Sequence, residues 1–230
     1  MRILLIILTA ASLSLGDILF EDDFNDGNAD DWYEYPTTAT YQVNDSLRYE
    51  MSYFGTGDDY ALSCRGDVDP TTMSVEDYSV RVEVIGHWPT HFAGPEVRLS
   101  SDNTSYGFYL DWSLNYCYIG KYTTSGWTTL TRHYSTSLKY DVSYWLRFEC
   151  EGNTLRAKVW QGTVGDEPPV WLLSCVDYDF LNNGCMALGT GGNYPEWDFN
   201  AEFDNVLVTD PLGPAALEQT TWGSIKAAQF

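Results

Sequence analysis

The sequence predicts an all-β sandwich or barrel, and three observations support this class. Strand-like segments recur about every ten residues, with turn-forming residues between them. Within these segments apolar and polar side chains alternate, which is the period of a strand with one buried face. No segment after the N-terminal apolar run has the spacing of a convincing helix. We expect residues 17–209 to form one domain, which is long enough to bury a large core.

The first 16 residues have the pattern of a secretory signal peptide. Arg2 supplies a positive end, an apolar run follows, and the small residues Ser14 and Gly16 precede a cleavage point before Asp17. The run is too short to span a bilayer, although an uncleaved anchor is the alternative. We therefore expect a secreted protein, extracellular or on the cell surface, with no membrane insertion.

The charge restricts the class of partner. Lys and Arg number 12 against 33 Asp and Glu, so the formal net charge is −21. This balance argues against nucleic acid and anionic membranes, because both are polyanions. The carboxylates could serve Ca²⁺, or they could simply keep the protein soluble.

The cysteines leave their redox state open. There are five, and none forms a C-x-x-C pair, which argues against a zinc or thioredoxin-type site. An exported chain could oxidise some of them, and buried free thiols are the alternative.

The most informative segment, residues 144–160, has the pattern of a β-hairpin closed by Gly152 and Asn153. Counting outwards from this turn gives one register, because a slip by one residue would scatter both faces. The apolar face pairs Cys150 with Leu155, Phe148 with Ala157 and Leu146 with Val159, and the other face pairs Glu149 with Arg156 and Trp145 with Trp160.

The remaining strands are predicted from alternation. They are a hairpin over 41–49 with a loop at 44–46, then 60–64, 79–85, 96–100, 106–112, 116–122, 127–131, 170–176 and 194–208. In the last strand the apolar residues change phase after Asp204, which predicts a β-bulge at 204–205. The glycine-rich residues 189–192 are expected to form an edge loop, and residues 210–230 a linker and short tail.

Three stretches together resemble the concanavalin A-like lectin/glucanase superfamily, the laminin G-like jelly rolls. They are LFEDDFNDG at 19–27, YWLRFECEGNTLRAKVW at 144–160 and FDNVLV at 203–208, so the resemblance extends over residues 18–209. It implies an antiparallel two-sheet jelly-roll sandwich that binds glycan, often with a structural Ca²⁺. The tail TTWGSIKA is similar to terminal segments of secreted bacterial proteins, which implies surface attachment.

The resemblance implies a calcium site near the chain ends of the domain. Asp22 and Asp23 lie at its start and Asp204 at its end, and the terminal strands of such sandwiches often lie together. These carboxylates are the expected ligands, because Ca²⁺ prefers six to eight oxygens. The alternative is that they cap turns and the bulge through local hydrogen bonds.

A glycan site is expected on one sheet face. The predicted alternation directs five side chains to one side: Arg98, Tyr109, Asp111, Tyr116 and Tyr118. Aromatic rings match the apolar faces of sugars, and charged groups match their hydroxyls. The alternative is that these aromatic residues are ordinary strand formers.

Catalysis is not supported by an intact motif. Glycoside hydrolysis needs two carboxylates flanking the bond, and the related glucanases carry Glu-x-Asp-x-Glu with at most one extra residue. The nearest match, Glu196, Asp198 and Glu202, has three residues between the last two. The leading prediction is non-catalytic carbohydrate binding. The alternatives are a glycan-active hydrolase and a structural or adhesive surface protein that binds protein.

Overall fold

A computed structural model describes residues 17–35, 37–55, 60–65, 75–134, 137–180, 184–192 and 198–211. The predicted signal peptide, residues 1–16, and the predicted attachment tail lie outside these residues. Across these ranges, no helix is both long and apolar enough to cross a membrane.

The described residues form fifteen β-strands in two antiparallel sheets, as the sequence predicts. The strands are β1 (Ile18–Asp22), β2 (Trp32–Glu34), β3 (Thr40–Val43), β4 (Tyr49–Tyr53), β5 (Tyr60–Arg65), β6 (Tyr78–His87), β7 (Phe92–Leu99), β8 (Ser105–Asp111), β9 (Tyr116–Thr123), β10 (Gly126–Tyr134), β11 (Ser143–Glu151), β12 (Thr154–Trp160), β13 (Leu173–Val176), β14 (Cys185–Gly191) and β15 (Phe199–Thr209). The eight-stranded sheet has the order β13-β12-β11-β6-β15-β4-β3, and β1 also pairs with β15. The seven-stranded sheet has the order β10-β9-β8-β7-β14-β5-β2.

The core lies between the two sheets. Val80, Val82 and Val84 of β6 are fully buried, as their alternation predicts. Phe108 of the seven-stranded sheet meets Phe148 of the eight-stranded sheet, with ring centroids 6.0 Å apart. Burying each side chain of this size contributes about 1.5–3 kcal/mol, so the facing sheets supply most of the stabilising energy.

The predicted central hairpin is confirmed in every pair. β11 and β12 are joined at Gly152, which has φ of 53°, and the register places Phe148 opposite Ala157 and Glu149 opposite Arg156. The positive φ suits glycine, and this turn fixes the register of both strands.

The predicted bulge in the last strand is also confirmed. The pairing of β15 with β6 shifts between Asp204 and Leu207, and Asn205 has φ of 51°. On its other edge, β15 pairs with β4 before the bulge and with β1 after it. The first and last strands of the domain are therefore neighbours, with Asp22 opposite Val206.

Three strand predictions need correction, and one of them is the strand expected at 170–176, which begins only at Leu173. Residues 189–191 are not in an edge loop, because β14 lies inside the seven-stranded sheet between β7 and β5. A Cβ on Gly189 would lie 2.8 Å from the Tyr109 hydroxyl, so the glycine leaves space that neighbouring side chains fill. In the first hairpin Val43 pairs with Tyr49, so the loop is longer than predicted and includes Leu47.

The outer face of the eight-stranded sheet is covered by its own chain. Residues 161–172, here called the covering loop, follow β12 and include a 3-10 helix at Val164–Asp166. The indole N–H of Trp145 donates to the Gly162 carbonyl at 3.2 Å, and that of Trp160 donates to the Thr163 carbonyl at 2.9 Å. Both indoles are consequently buried, although they lie on the face of the hairpin that points away from the core.

The charged side chains of this face are paired with one another. Arg147, Arg156 and Lys158 surround the Trp171 ring, with their charged groups 5.6, 5.2 and 4.5 Å from its centroid. Glu167 of the covering loop accepts from Arg147 at 3.2 Å and from Lys158 at 2.8 Å. The cations therefore hold the covering loop against the sheet.

Candidate functional site

Four aromatic rings form a continuous row on the outer face of the seven-stranded sheet. Their centroid separations are 5.7 Å from Trp127 to Tyr118, 5.2 Å from Tyr118 to Tyr116 and 5.7 Å from Tyr116 to Tyr134. The row follows β9, and β10 contributes the two end rings. Trp127 is 36% exposed and Tyr134 is 58% exposed, so both ends of this aromatic row are open to solvent.

Glycines make room for the indole of the row. A Cβ on Gly120 would lie 2.4 Å from the Trp127 ring, and one on Gly107 would lie 3.0 Å from it. Because neither residue has a side chain, the indole can lie close to the sheet, where it contacts Tyr109 at 5.3 Å and Tyr118.

A buried carboxylate supports the middle of this face. Glu96 of β7 is 2% exposed, and the hydroxyls of Tyr60 and Tyr109 both donate to its Oε1 atom. Burial raises the pKa of Glu96, and the hydrogen bonds from Ser105, Tyr109 and Tyr60 oppose this effect. Burial first, and then the Glu96 charge, raise the pKa of both tyrosines well above the ordinary value. The hydroxyls therefore stay protonated and fix the two rings.

Charged groups lie at the Tyr116 end of the aromatic row. Asp111 accepts from the Ser113 hydroxyl at 2.6 Å and the Leu114 amide at 2.8 Å. Burial first, and then the charge of Asp111, raise the pKa of Tyr116. Arg132 is exposed, stands opposite Tyr118 in the ladder, and has its guanidinium 5.6 Å from the Tyr134 ring. Stacking surfaces thus stand beside a carboxylate and a guanidinium, the combination that suits a sugar with apolar faces and hydroxyl edges.

The structure brings four of the five predicted ligand residues together: Tyr109, Asp111, Tyr116 and Tyr118. Arg98 is the exception, because it has φ of 54° and the pairing of β7 with β14 shifts beside it. This bulge breaks the alternation from which its direction was predicted.

The Arg98 side chain has a structural role instead. Its guanidinium donates to the carbonyl of Phe180 at 2.9 Å and to the carboxylate of Asp77 at 3.0 Å, and its Nε atom donates to the Glu76 carbonyl at 3.0 Å. It is nearly fully buried and ties β7 to the segments that flank β6 and β13.

Several contributors to the site were missed from sequence. Trp127 was placed in a strand without a direction, and Tyr134 and Arg132 lie in the part of β10 that extends beyond residue 131. The register shift between Thr129 and Thr131 interrupts the alternation there. The hydrogen bonds that Glu96 accepts from Tyr60 and Tyr109 were not predicted either.

The three predicted calcium ligands all lie near the paired chain ends but have other partners. Asp22 accepts from the Trp32 indole N–H at 2.7 Å and the Phe24 amide at 2.8 Å. Asp204 lies 3.5 Å from the Arg48 guanidinium, and Asp23 is near enough for its charge to raise the pKa of Asp204. Within the residues that the structure describes, no group of three or more His, Cys, Asp or Glu could hold a metal ion.

Asp198 and Glu202, the two described carboxylates of the nearest match to a glucanase motif, have partners away from the aromatic row. Asp198 accepts from the Gly55 amide at 2.8 Å, and Glu202 accepts from Asn44 at 2.9 Å and lies 3.2 Å from His87 on the eight-stranded sheet. Glu196 lies outside the described residues.

Solved structures with the same fold are similar to this chain at low sequence identity. A carbohydrate-binding module, CBM66 from Bacillus subtilis, matches with a TM-score of 0.60 and 15% identity over 78% of this chain and 96% of that one. A xylan beta-1,4-xylosidase from Bacillus halodurans C-125 matches with a TM-score of 0.57 and 10% identity, over 83% of this chain and 39% of its own. The exoplasmic/lumenal domain of VIP36, in its Ca²⁺/Man3GlcNAc-bound form, matches with a TM-score of 0.54 and 12% identity over 83% of this chain and 88% of that one.

No protein-family model and no curated protein sequence matches the chain. The structural matches and the two-sheet topology show that the described part of this chain adopts the concanavalin A-like β-sandwich fold.

Proposed function

We propose that the protein binds carbohydrate, without catalysing its hydrolysis, on the outer face of the seven-stranded sheet. The observation that carries this proposal is the continuous aromatic row, whose end rings are open to solvent and whose neighbours are Asp111 and Arg132. Rings of this kind stack on the C–H faces of sugars, and the charged groups pair with hydroxyls.

The comparisons support the proposal at the level of the fold. One similar structure is described as a carbohydrate-binding module, and another was solved with Man3GlcNAc bound. At these identities the likeness concerns the fold alone, so the site is argued from the side chains of this chain.

The proposal is tested by affinity electrophoresis and thermal unfolding with soluble xylan, β-glucan, mannan and fructan. We expect at least one polysaccharide to retard the protein and raise the unfolding midpoint, because a ligand of the folded state stabilises it by mass action. Tyr116→Ala should weaken binding about tenfold, which corresponds to about 1.4 kcal/mol.

The matched control is Tyr178→Ala, because Tyr178 is 69% exposed and lies outside the aromatic row. It should leave binding unchanged. An equal loss in both variants, or no response to any polysaccharide, would reject carbohydrate binding on this face and favour an adhesive protein that binds protein. Release of reducing sugar during the assay would favour the hydrolase.

Calcium binding by Asp22, Asp23 and Asp204 is a separate part of the proposal. The support is their position near the paired ends of β1 and β15, although the hydrogen bonds to Asp22 and the Arg48 partner of Asp204 do not fit a ready-made oxygen shell. Thermal unfolding with Ca²⁺ and with chelator decides it. A midpoint raised by Ca²⁺ in the native protein, and not in Asp23→Asn, would support the site, and superimposed curves would remove it.

A further inference from the structure

The aromatic row is linear, and its direction is set by one strand. Tyr118 and Tyr116 are alternate residues of β9, so their rings stand on the same face and follow the strand direction. Trp127 extends the row at one end through its contact with Tyr118, and Tyr134 extends it at the other through its contact with Tyr116. The three steps are similar, between 5.2 and 5.7 Å.

Exposure along the row is greatest at its ends. Trp127 and Tyr134 are open, Tyr116 is half-buried and Tyr118 is buried. β10 is an edge strand, and its residues Thr129 and Arg132 are exposed. A site for one terminal sugar would gather its open rings around a single point. Here the two open rings lie at opposite ends of the row, and the two less exposed rings lie between them. The row therefore provides contact surfaces at both ends of an elongated ligand.

The charges near the row oppose an anionic ligand. Asp111 is a carboxylate that lies opposite Tyr116 in the ladder, at one end of the row. Arg132 is a cation at one end, and the whole chain carries a net charge of −21. A polyuronate or sulfated chain would be repelled by this field, whereas a neutral chain meets no such cost.

We propose that the aromatic row binds an internal segment of a linear, neutral polysaccharide, with the sugar chain lying along β9 and β10. Trp127 and Tyr134 act as the two end platforms, and Arg132 hydrogen-bonds hydroxyls near the Tyr134 end. This inference rests on the carbohydrate binding proposed above and specifies its ligand class.

The experiment measures affinity against chain length by isothermal titration calorimetry. The probes are xylo-, cello-, manno- and fructo-oligosaccharides from one unit to eight, with the parent polysaccharides and polygalacturonate as an anionic probe. For the sugar that binds, we expect affinity to rise at least tenfold between one unit and the length that reaches both platforms, and then to level off. Polygalacturonate should not bind at low salt, where repulsion is least screened.

The variants separate the two ends of the row. Trp127→Ala and Tyr134→Ala should each remove most of the gain with length, while Thr128→Ala, on the same strand but facing the other way, should not. The Trp127→Phe and Tyr134→Phe variants keep a ring and should retain the length dependence. Unfolding midpoints of the two Ala variants close to that of the native protein exclude a general loss of folding as the cause.

Three outcomes would overturn the inference in different ways. A single sugar unit that binds as tightly as the long chain would reject the extended site while leaving carbohydrate binding intact. Tighter binding of polygalacturonate than of every neutral probe would reject the neutral ligand class. Failure of every probe to bind would reject both this inference and the proposed function.

Discussion

The outer faces of the two sheets carry similar residues with opposite outcomes. On the eight-stranded sheet, Trp145 and Trp160 are buried under the covering loop and donate to its carbonyls. On the seven-stranded sheet, Trp127 and Tyr134 keep open surface. Aromatic and charged residues on a sheet face therefore do not by themselves indicate a ligand site. What distinguishes the two faces is whether the chain's own loop already occupies them.

The largest effect should come from breaking the covered face. Glu149 is 2% exposed and pairs with Arg156 and Arg147. Glu149→Ala removes this buried partner, while Arg147 keeps Glu167 and Arg156 keeps Glu151, so we expect the free energy of unfolding to fall by about 2–3 kcal/mol. Urea denaturation measures this loss. Carbohydrate affinity of the folded variant should be unchanged, and a parallel loss of affinity would show that the two faces are coupled.

Removing one tryptophan from each outer face sharpens the comparison. Trp171→Ala removes the ring that contacts three cations, and we expect a loss of about 1–3 kcal/mol in unfolding free energy with binding intact. Trp127→Ala should do the reverse, weakening binding about tenfold with a smaller effect on stability. Both variants need both measurements, and two variants that behave alike would contradict the distinction.

A smaller effect is expected in the pH dependence of stability, through Asp204 of the eight-stranded sheet. Burial, opposed by Arg48, raises the pKa of Asp204 from 3.8 to about 6. The folded protein thus holds this proton more tightly than the unfolded chain does. The stability that the bound proton contributes is fully present below pH 3.8 and is lost as the pH rises through about 6. Asp204→Asn should gain stability relative to the native protein across that window. If the unfolding midpoints of the native protein and of Asp204→Asn change with pH in parallel, the raised pKa of Asp204 is contradicted.

The smallest effect is expected at the rim of the covered face. Glu151 is 54% exposed and pairs with Arg156, which keeps Glu149 as its second partner. Exposed ion pairs of this kind contribute about 0–1 kcal/mol, so Glu151→Gln should lower the unfolding free energy by less than 1 kcal/mol. A loss as large as that of Glu149→Ala would mean that the network acts as one unit.

Local chemistry explains which parts of the fold could be predicted. The hairpin at Gly152 and the bulge after Asp204 are encoded by neighbouring residues, and both predictions are confirmed. The bulge at Arg98 has no such signal, because a non-glycine residue adopts positive φ there while apolar and charged residues continue to alternate. Its side chain was therefore assigned to the wrong place.

Contacts between distant segments explain the other differences. No property of residues 144–160 shows that the covering loop will bury Trp145 and Trp160. Likewise, the positions of Trp127 and Tyr134 at the two ends of the row depend on the bulge in β10 and on the register of its pairing with β9. Four of the five predicted ligand residues lie on one face because β8 and β9 alternate without interruption.

The glycines beneath Trp127 have a consequence for how the proposed carbohydrate binding is inherited. One methyl group at Gly120 would lie 2.4 Å from the indole and displace it, although every aromatic residue of the row would still be present in the sequence. Descendants of this gene could thus lose binding through a substitution at a residue that no ligand needs to touch. Tracing the activity among related sequences would require reading positions 107 and 120 together with the rings.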